Sequence, residues 1–147
     1  MGVRKKLVVT RRKFLSVREE FHEQVTAQQQ YIILEWNAVA DDTNALDRFR
    51  GDSPETVMRR RIKCLFMLNM GAKVREKYGI AEDIRCVAWI SPQSVRKSFG
   101  REKLPKYKFT VVFQGERYII DRARYLEEMY GSYVGLQLEL KSDKKGG

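Results

Sequence analysis

The amino-acid sequence predicts an α+β fold: a mostly antiparallel sheet of four or five strands packed on two long helices, in a single domain. The helices are predicted by a capping-box pattern that begins at Ser16 and by a Ser53-Pro54 pair that precedes a long stretch without glycine. The sheet is predicted by the second half of the chain, where apolar and polar side chains alternate with the period of a strand. Because the strands and helices are segregated along the chain, α+β is favoured over an alternating α/β arrangement.

The first long helix is predicted over residues 17–39, after a short β-branched strand at residues 6–10. Ser16 and Glu19 can satisfy each other's free backbone N–H groups at its start, and apolar residues at helical spacing follow. The Tyr-Ile-Ile-Leu stretch at residues 31–34 would suit a strand by itself. Because neither glycine nor proline separates it from the capping box, the sequence predicts that the helix continues through it.

The second long helix is predicted over residues 53–78, after a short helix that ends near Phe49. Pro54 is placed where a missing N–H costs nothing, and Gly79 can end the helix in a left-handed conformation. The apolar run at residues 64–68 would cover the whole circumference of a helix. A helix that is apolar all round is buried, so this segment is predicted to be the core of the protein.

The second half of the chain is predicted to supply most of the sheet, with Gln114-Gly115-Glu116 as the turn of a hairpin. The predicted elements are strands at residues 84–90, 107–113, 117–120 and 134–141, a long basic connection at 91–105, and a short helix at 122–130 capped by Asp121. The domain is predicted to span residues 1–141, with residues 1–6 as a flexible basic arm and residues 142–147 as a disordered tail.

Length and composition favour one packed domain that does not span a membrane. The chain has 147 residues, of which 43% are hydrophobic and 11% aromatic, enough for a core. No apolar run approaches the roughly 20 residues that cross a bilayer, and the basic N-terminus lacks the apolar region of a secretion signal. The sequence therefore predicts an intracellular protein, cytoplasmic or nuclear, with no membrane partner.

The charge of the chain is +10 and is unevenly distributed. Residues 1–13 carry +6, residues 14–56 carry −6, and residues 57–147 carry +10. A strongly basic chain has a raised prior for binding nucleic acid, and the acidic 14–56 region is a candidate surface for self-association or for a protein partner.

Three basic clusters are predicted to contact the phosphate backbone of RNA or DNA, which the sequence does not distinguish. Their members are Arg59, Arg60, Arg61 and Lys63 near the start of the predicted central helix; Arg96, Lys97, Arg101, Lys103, Lys106 and Lys108 with Phe99 in the basic connection; and Arg11, Arg12 and Lys13 near the N-terminus. Trp89, Phe99 and Tyr107 are the aromatic candidates for contact with bases. If residues 59–63 face residues 96–108, the two clusters form a phosphate site; if they face residues 41–47, they form an internal salt-bridge network.

Two other functions fit parts of the sequence. The opposite charges of residues 14–56 and the remainder would suit a structural protein that assembles into a larger viral or ribonucleoprotein particle. Asp121 with Glu139-Leu140-Lys141 resembles the Asp and Glu-x-Lys arrangement of metal-dependent nucleases, although Asp121 is also explained as a helix cap.

No cofactor, metal site or enzymatic activity is predicted. The cysteines, Cys64 and Cys86, are isolated in apolar surroundings and are expected to be buried free thiols. The single histidine, His22, lies among glutamates with no recognisable nucleophile motif, and no glycine-rich phosphate loop is present. The sequence thus favours a non-catalytic nucleic-acid-binding protein.

Overall fold

The computed structural model describes residues 10–39 and 55–143, and in these residues the fold is a closed six-stranded antiparallel β-barrel with three short helices. In chain order the elements are α1 (Arg11–Thr26), β1 (Gln30–Val39), β2 (Glu55–Leu68), α2 (Ala72–Tyr78), β3 (Cys86–Ile90), α3 (Pro92–Phe99), β4 (Thr110–Phe113), β5 (Glu116–Leu126) and β6 (Gly135–Ser142). Around the barrel the strands follow the order β1-β2-β3-β6-β5-β4, and β4 pairs with β1 to close it. The predicted sheet packed on two long helices is therefore wrong.

Each predicted long helix contains a long strand. The first helix ends at Thr26, and β1 and β2 then pair along their whole length, from Gln30 opposite Cys64 to Val39 opposite Glu55. The apolar run at residues 64–68 is a strand in which Cys64 and Phe66 are buried, Leu65 and Met67 are half-buried and Leu68 is exposed. Because all five residues are apolar, no polar alternation separates this strand from a buried helix in the sequence. Of the second predicted helix, only the C-terminal part is helical, as α2. Gly79 ends α2 with φ 63°, as expected.

The core has two parts, one inside the barrel and one outside it. Inward-facing side chains of all six strands fill the interior, as Ile32, Cys64, Ala88 and Leu138 do. A second cluster on the outer surface includes Val87 and Trp89, and α1 covers it with Phe21 and Val25. This second layer explains why β3 is buried at every position.

The first helix begins earlier than predicted. Thr10, not Ser16, is the N-cap, and its side chain accepts a hydrogen bond from the backbone N–H of Lys13. Gly135 at the start of β6 lies directly under the ring of Phe21, so close that a Cβ there would overlap the ring. This contact holds α1 against the outside of the barrel.

Two assignments in the second half also change. The predicted basic connection contains α3, which Ser91 caps by accepting from the N–H of Ser94 and Gly100 ends with φ 73°. The predicted helix at residues 122–130 is mainly strand, since β5 runs to Leu126 and pairs with β6 across a bulge near Asp121. Asp121 therefore does not cap a helix.

Several predicted elements are confirmed. The strands over 84–90 and 134–141 correspond to β3 and β6, and Gln114 and Gly115 form the turn of the β4–β5 hairpin, both with positive φ. The predicted N-terminal arm, the helix ending near Phe49 and residues 144–147 lie outside the described residues, as does nearly all of the strand at 6–10. No helix in the described ranges is long and apolar enough to cross a membrane.

Candidate nucleic-acid interface

A cleft of about 710 Å³ opens on the side of the barrel, between α1, the paired strands β1 and β2, and α3. We call it the basic cleft. One wall is formed by β1 and β2, with Tyr31, Arg60, Arg61 and Lys63; α3 and α1 supply the remaining lining residues, which are Gln93, Ser94, Lys97, Ser98, His22 and Thr26. Among the residues that the structure describes, the lining contains four permanent cations and no carboxylate.

The strand wall is organised by an arginine stacked on a tyrosine. The guanidinium carbon of Arg61 lies 3.9 Å from the ring centre of Tyr31, and Nζ of Lys63 lies 5.6 Å from the same centre. A hydrogen bond from Arg61, helped by the positive charge of Lys63, lowers the pKa of the exposed Tyr31 phenol below its usual value. These contacts fix both cations at the surface of the cleft.

The helical wall is one face of α3. Gln93, Ser94, Lys97 and Ser98 recur at the spacing that brings side chains to the same side of a helix. Ser98 Oγ donates a hydrogen bond of 2.9 Å to the backbone oxygen of Arg61. This bond ties α3 to β2 and places Lys97 opposite the arginines.

The base of the cleft is a short hydrogen-bond chain from α1 to the start of α3. His22 Nδ1 lies 2.6 Å from Ser91 Oγ, which lies 3.0 Å from Ser94 Oγ. The tautomer of the imidazole determines which partner donates in the first contact. Ser91 is 0% exposed, so this arrangement positions the helices and offers no accessible nucleophile.

The basic cleft brings together Arg60, Arg61, Lys63 and Lys97, members of two clusters that the sequence places about 35 residues apart. Residues 60–63 therefore border the same cavity as α3. Residues 41–47, on which the alternative salt-bridge network depends, lie outside the described residues. Guanidinium and ammonium groups that converge on one cavity suit a ligand with several anionic oxygens.

Other predicted members are already paired within the protein. Arg59 Nε lies 3.4 Å from Glu35, whose largely buried carboxylate is also 3.2 Å from Arg117. In the second cluster, Arg96 is 3.4 Å from Glu102, and Lys103 Nζ is 2.9 Å from Glu128. Glu102 also binds Arg18 and so joins α1 to the segment after α3.

The remaining predicted members lie away from the cleft. Arg11, Arg12 and Lys13 occupy the first turn of α1, whereas His22 and Thr26 line the cleft near its last turn; this separates them by roughly 15 Å along the helix. Arg101, exposed, follows α3 outside the cleft, and Lys106 and Lys108 border a separate groove beside Tyr107.

The aromatic candidates divide clearly by exposure. Phe99 was expected on an exposed loop but is half-buried on α3, with its ring 5.6 Å from Trp36 and 5.9 Å from Phe109. Trp89 is buried under α1, and its indole N–H donates to Gln137. Tyr107 is the one of the three that is exposed.

Sequence reasoning missed the uncharged residues that α1, β1 and α3 contribute to the cleft, among them Tyr31, Ser94 and Thr26. A signal for α3 was present, because Ser91-Pro92 followed by Gly100 has the N-cap, first-turn proline and terminal glycine of a short helix. No comparable signal marks Tyr31. Its role depends on the pairing of β1 with β2.

The charged residues that resemble a nuclease motif, Asp121, Glu139 and Lys141, form ion pairs within the protein. Lys141 Nζ lies 2.9 Å from Asp83 and 3.1 Å from Asp121, and the buried Glu139 lies 3.6 Å from Arg122. Within residues 10–39 and 55–143, no three histidine, cysteine or acidic side chains are grouped so as to hold a metal ion.

Fold and site together define a closed six-stranded antiparallel barrel with a basic cleft on its side. The chain matches no known protein family, no curated protein and no solved structure.

Proposed function

We propose that this protein is a non-catalytic nucleic-acid-binding protein that holds the phosphate backbone in the basic cleft. The observation that carries the proposal is the convergence of Arg60, Arg61 and Lys63 from β2 with Lys97 from α3 around one cavity. Their sequence positions do not require them to meet, and the fold brings them together.

The electrostatics of the cleft favour an anionic ligand over an internal role for these cations. Some cations outside the cleft are paired with carboxylates, as Arg59 is with Glu35 and Arg96 is with Glu102. In the basic cleft four like charges share one cavity, and no carboxylate of residues 10–39 or 55–143 lines it. Phosphates would relieve that repulsion and replace counterions, which makes binding strongly dependent on salt.

Of the surrounding neutral groups, Gln93 also suits phosphate. Ser98 and Thr26 donate their hydroxyl protons to the backbone oxygens of Arg61 and His22. Gln93 offers a side-chain amide next to the cations, a group that contacts phosphate and sugar oxygens in nucleic-acid complexes. Such contacts position a strand without reading its sequence. Binding through the cleft alone is therefore expected to show little preference for sequence.

The test compares two double variants that each remove two charges. Lys63→Gln with Lys97→Gln changes the basic cleft, and Lys13→Gln with Lys73→Gln changes two exposed lysines outside it. Affinity for a random-sequence oligonucleotide is measured by fluorescence anisotropy at several salt concentrations.

The cleft variant is expected to bind roughly tenfold or more weakly, and the slope of log affinity against log salt is expected to shrink by about one to one and a half. The control variant should keep a slope close to that of the unchanged protein. Equal losses in both variants would assign the affinity to net charge rather than to the cleft, and no binding at about 50 mM salt would refute the function itself.

A further inference from the structure

A second groove, of about 310 Å³, lies beside β5 where the edge of that strand is not covered by β4. β4 has four residues and its pairing with β5 spans only Glu116 to Ile119, so the remainder of β5 is flanked by the segment that precedes β4. Leu104 fixes this segment by donating its backbone N–H to the Tyr125 hydroxyl at 3.0 Å. Pro105, Tyr107, Ile120 and Ala123 give the groove apolar walls. We call it the Tyr107 groove.

The ring of Tyr107 is supported on one face and accessible on the rest of its surface. It stacks on the indole of Trp36 with 5.4 Å between ring centres and 5° between planes, yet the residue is 51% exposed. Phe109 contacts it edge-on at 5.9 Å. An aromatic ring held in place by two others loses little conformational entropy when a planar ligand stacks on it.

Two lysines border the same groove. Lys106 and Lys108, the immediate neighbours of Tyr107, are exposed, and neither forms an ion pair with a carboxylate in the described part of the chain. Lys103, by contrast, is occupied by Glu128. An apolar slot with a stacking ring and flanking ammonium groups matches a planar base joined to phosphates.

Arg60 lies near both the Tyr107 groove and the basic cleft. Arg60 is among the residues that line the basic cleft, and its guanidinium carbon lies 5.9 Å from the ring centre of Trp36, the same ring that supports Tyr107. The guanidinium therefore lies within about 11 Å of the Tyr107 ring, which about three nucleotides can span at the roughly 3.4 Å rise of a stacked strand. One strand can therefore contact both places.

We propose that the Tyr107 groove binds an unpaired nucleobase, stacked on Tyr107, while the adjoining phosphates contact Lys106 and Lys108. This inference rests on the proposed function and narrows it to single-stranded nucleic acid. A base within a duplex has both faces covered by its neighbours and does not reach such a groove without being extruded.

The test uses three oligonucleotides of equal length at one salt concentration: a single strand, the same strand with abasic sites throughout, and a duplex. The abasic strand keeps every phosphate and removes every base. The protein is used unchanged and as Tyr107→Leu and Tyr107→Phe, each checked for an unaltered unfolding transition. Tyr107→Phe retains the ring, and Tyr107→Leu retains only apolar bulk.

The unchanged protein and Tyr107→Phe are expected to bind the normal single strand roughly tenfold more tightly than the abasic strand. In Tyr107→Leu that preference should fall to about twofold or less, with affinity for the abasic strand unchanged. Affinity for the duplex should resemble affinity for the abasic strand.

Equal, salt-dependent binding of the normal and abasic strands by the unchanged protein would overturn the stacking proposal and leave the phosphate-binding cleft standing. Binding of neither would reject both. Preference for the duplex, or a base preference that survives in Tyr107→Leu, would also overturn the assignment of the base to this groove.

Discussion

The guanidinium of Arg61 stacks over the ring of Tyr31, with 3.9 Å between the guanidinium carbon and the ring centre. The two residues belong to neighbouring strands, where Arg61 pairs with Ile33 and Tyr31 pairs with Lys63, so they are diagonal neighbours on the outer face. The stack holds a cation and an ionisable phenol together at the mouth of the basic cleft. The strand pairing therefore decides both the shape of the site and its response to pH.

We expect the pKa of Tyr31 to rise in Arg61→Gln. Arg61 is the largest cause that lowers this pKa, because its hydrogen bond and charge favour the phenolate. Lys63→Gln should raise the pKa less. The measurement is a pH titration of tyrosine ring carbons by NMR, with Tyr31→Phe to assign the signal. An unchanged pKa of Tyr31 in Arg61→Gln would contradict the contact.

Ionisation of Tyr31 is expected to weaken oligonucleotide binding. As pH rises through the lowered pKa, the Tyr31 phenolate adds a negative charge to a cleft that holds phosphates. Affinity should therefore fall over that pH range in the unchanged protein. Tyr31→Phe serves as the control, since it keeps the ring under Arg61 but cannot ionise, and its affinity should not show this fall.

Glu35→Gln is expected to lower stability and raise affinity for a single strand. The Glu35 side chain is 10% exposed and lies between Arg59 and Arg117, so losing its charge should cost about 1 kcal/mol of unfolding free energy, because both arginines are more than half exposed and screened by water. Arg59 shares the outer face of β2 with Arg61, and once released it can contact a phosphate.

The dependence of affinity on salt concentration tests whether Arg59 gains a phosphate contact in Glu35→Gln. In Glu35→Gln the slope of log affinity against log salt should steepen by about 0.7, the value for one added contact to a single strand. Asp121→Asn makes the same change in charge beside Lys141, away from the cleft, and should leave the slope unaltered. A slope that is equal in both variants would mean that Arg59 makes no new phosphate contact.

Gly135→Ala is expected to destabilise the protein by about 1 to 3 kcal/mol, because the added methyl group overlaps the ring of Phe21. Its cost should largely disappear in a background of Phe21→Ala, where the space is open. Denaturant unfolding of the two single variants and the double variant gives the coupling energy. Additive losses would show that α1 does not rest on Gly135.

The strands that the sequence predicted and the strand that it took for a helix do not differ simply in burial. β3 is buried at every position and was predicted, whereas β2, whose outer face is only partly buried, was predicted as a helix. In β2, Cys64 and Phe66 point into the barrel while Leu65 and Met67 contact the cluster beneath α1 and α2. A run of this kind has no period, so only tertiary structure separates strand from helix. The Ser53-Pro54 signal then favoured the wrong alternative, whereas the same Ser-Pro pair at Ser91-Pro92 does begin a helix.

For the site, the sequence predicted which cations take part, but not which cations pair with carboxylates. The predicted clusters contained all four cations of the basic cleft, since net charge and clustering are visible in the sequence. Which arginine meets a carboxylate depends on strand register, as with Arg59 and Glu35, which are direct partners across β1 and β2. Short-range patterns contain no information about that register, and so Arg59 and Arg61 could not be told apart.

The two cysteines are expected to make the protein less stable as pH rises from 9 towards 12. Burial raises the pKa of Cys64 and of Cys86 from 9.0 to about 12. Between these values the folded state keeps thiol protons that the unfolded state releases. The unfolding free energy should therefore fall by about 1.4 kcal/mol per pH unit for each thiol.

The control for this alkaline loss is the pair of variants Cys64→Ala and Cys86→Ala. Each removes one thiol from the barrel interior, so each should show a shallower decline of unfolding free energy with pH, measured by denaturant titration between about pH 8 and 10. The buried phenol of Tyr118, whose pKa burial also raises, contributes in the same direction and remains in both variants. A decline unchanged by either substitution would mean that the thiols ionise as easily in the folded barrel as in the unfolded chain.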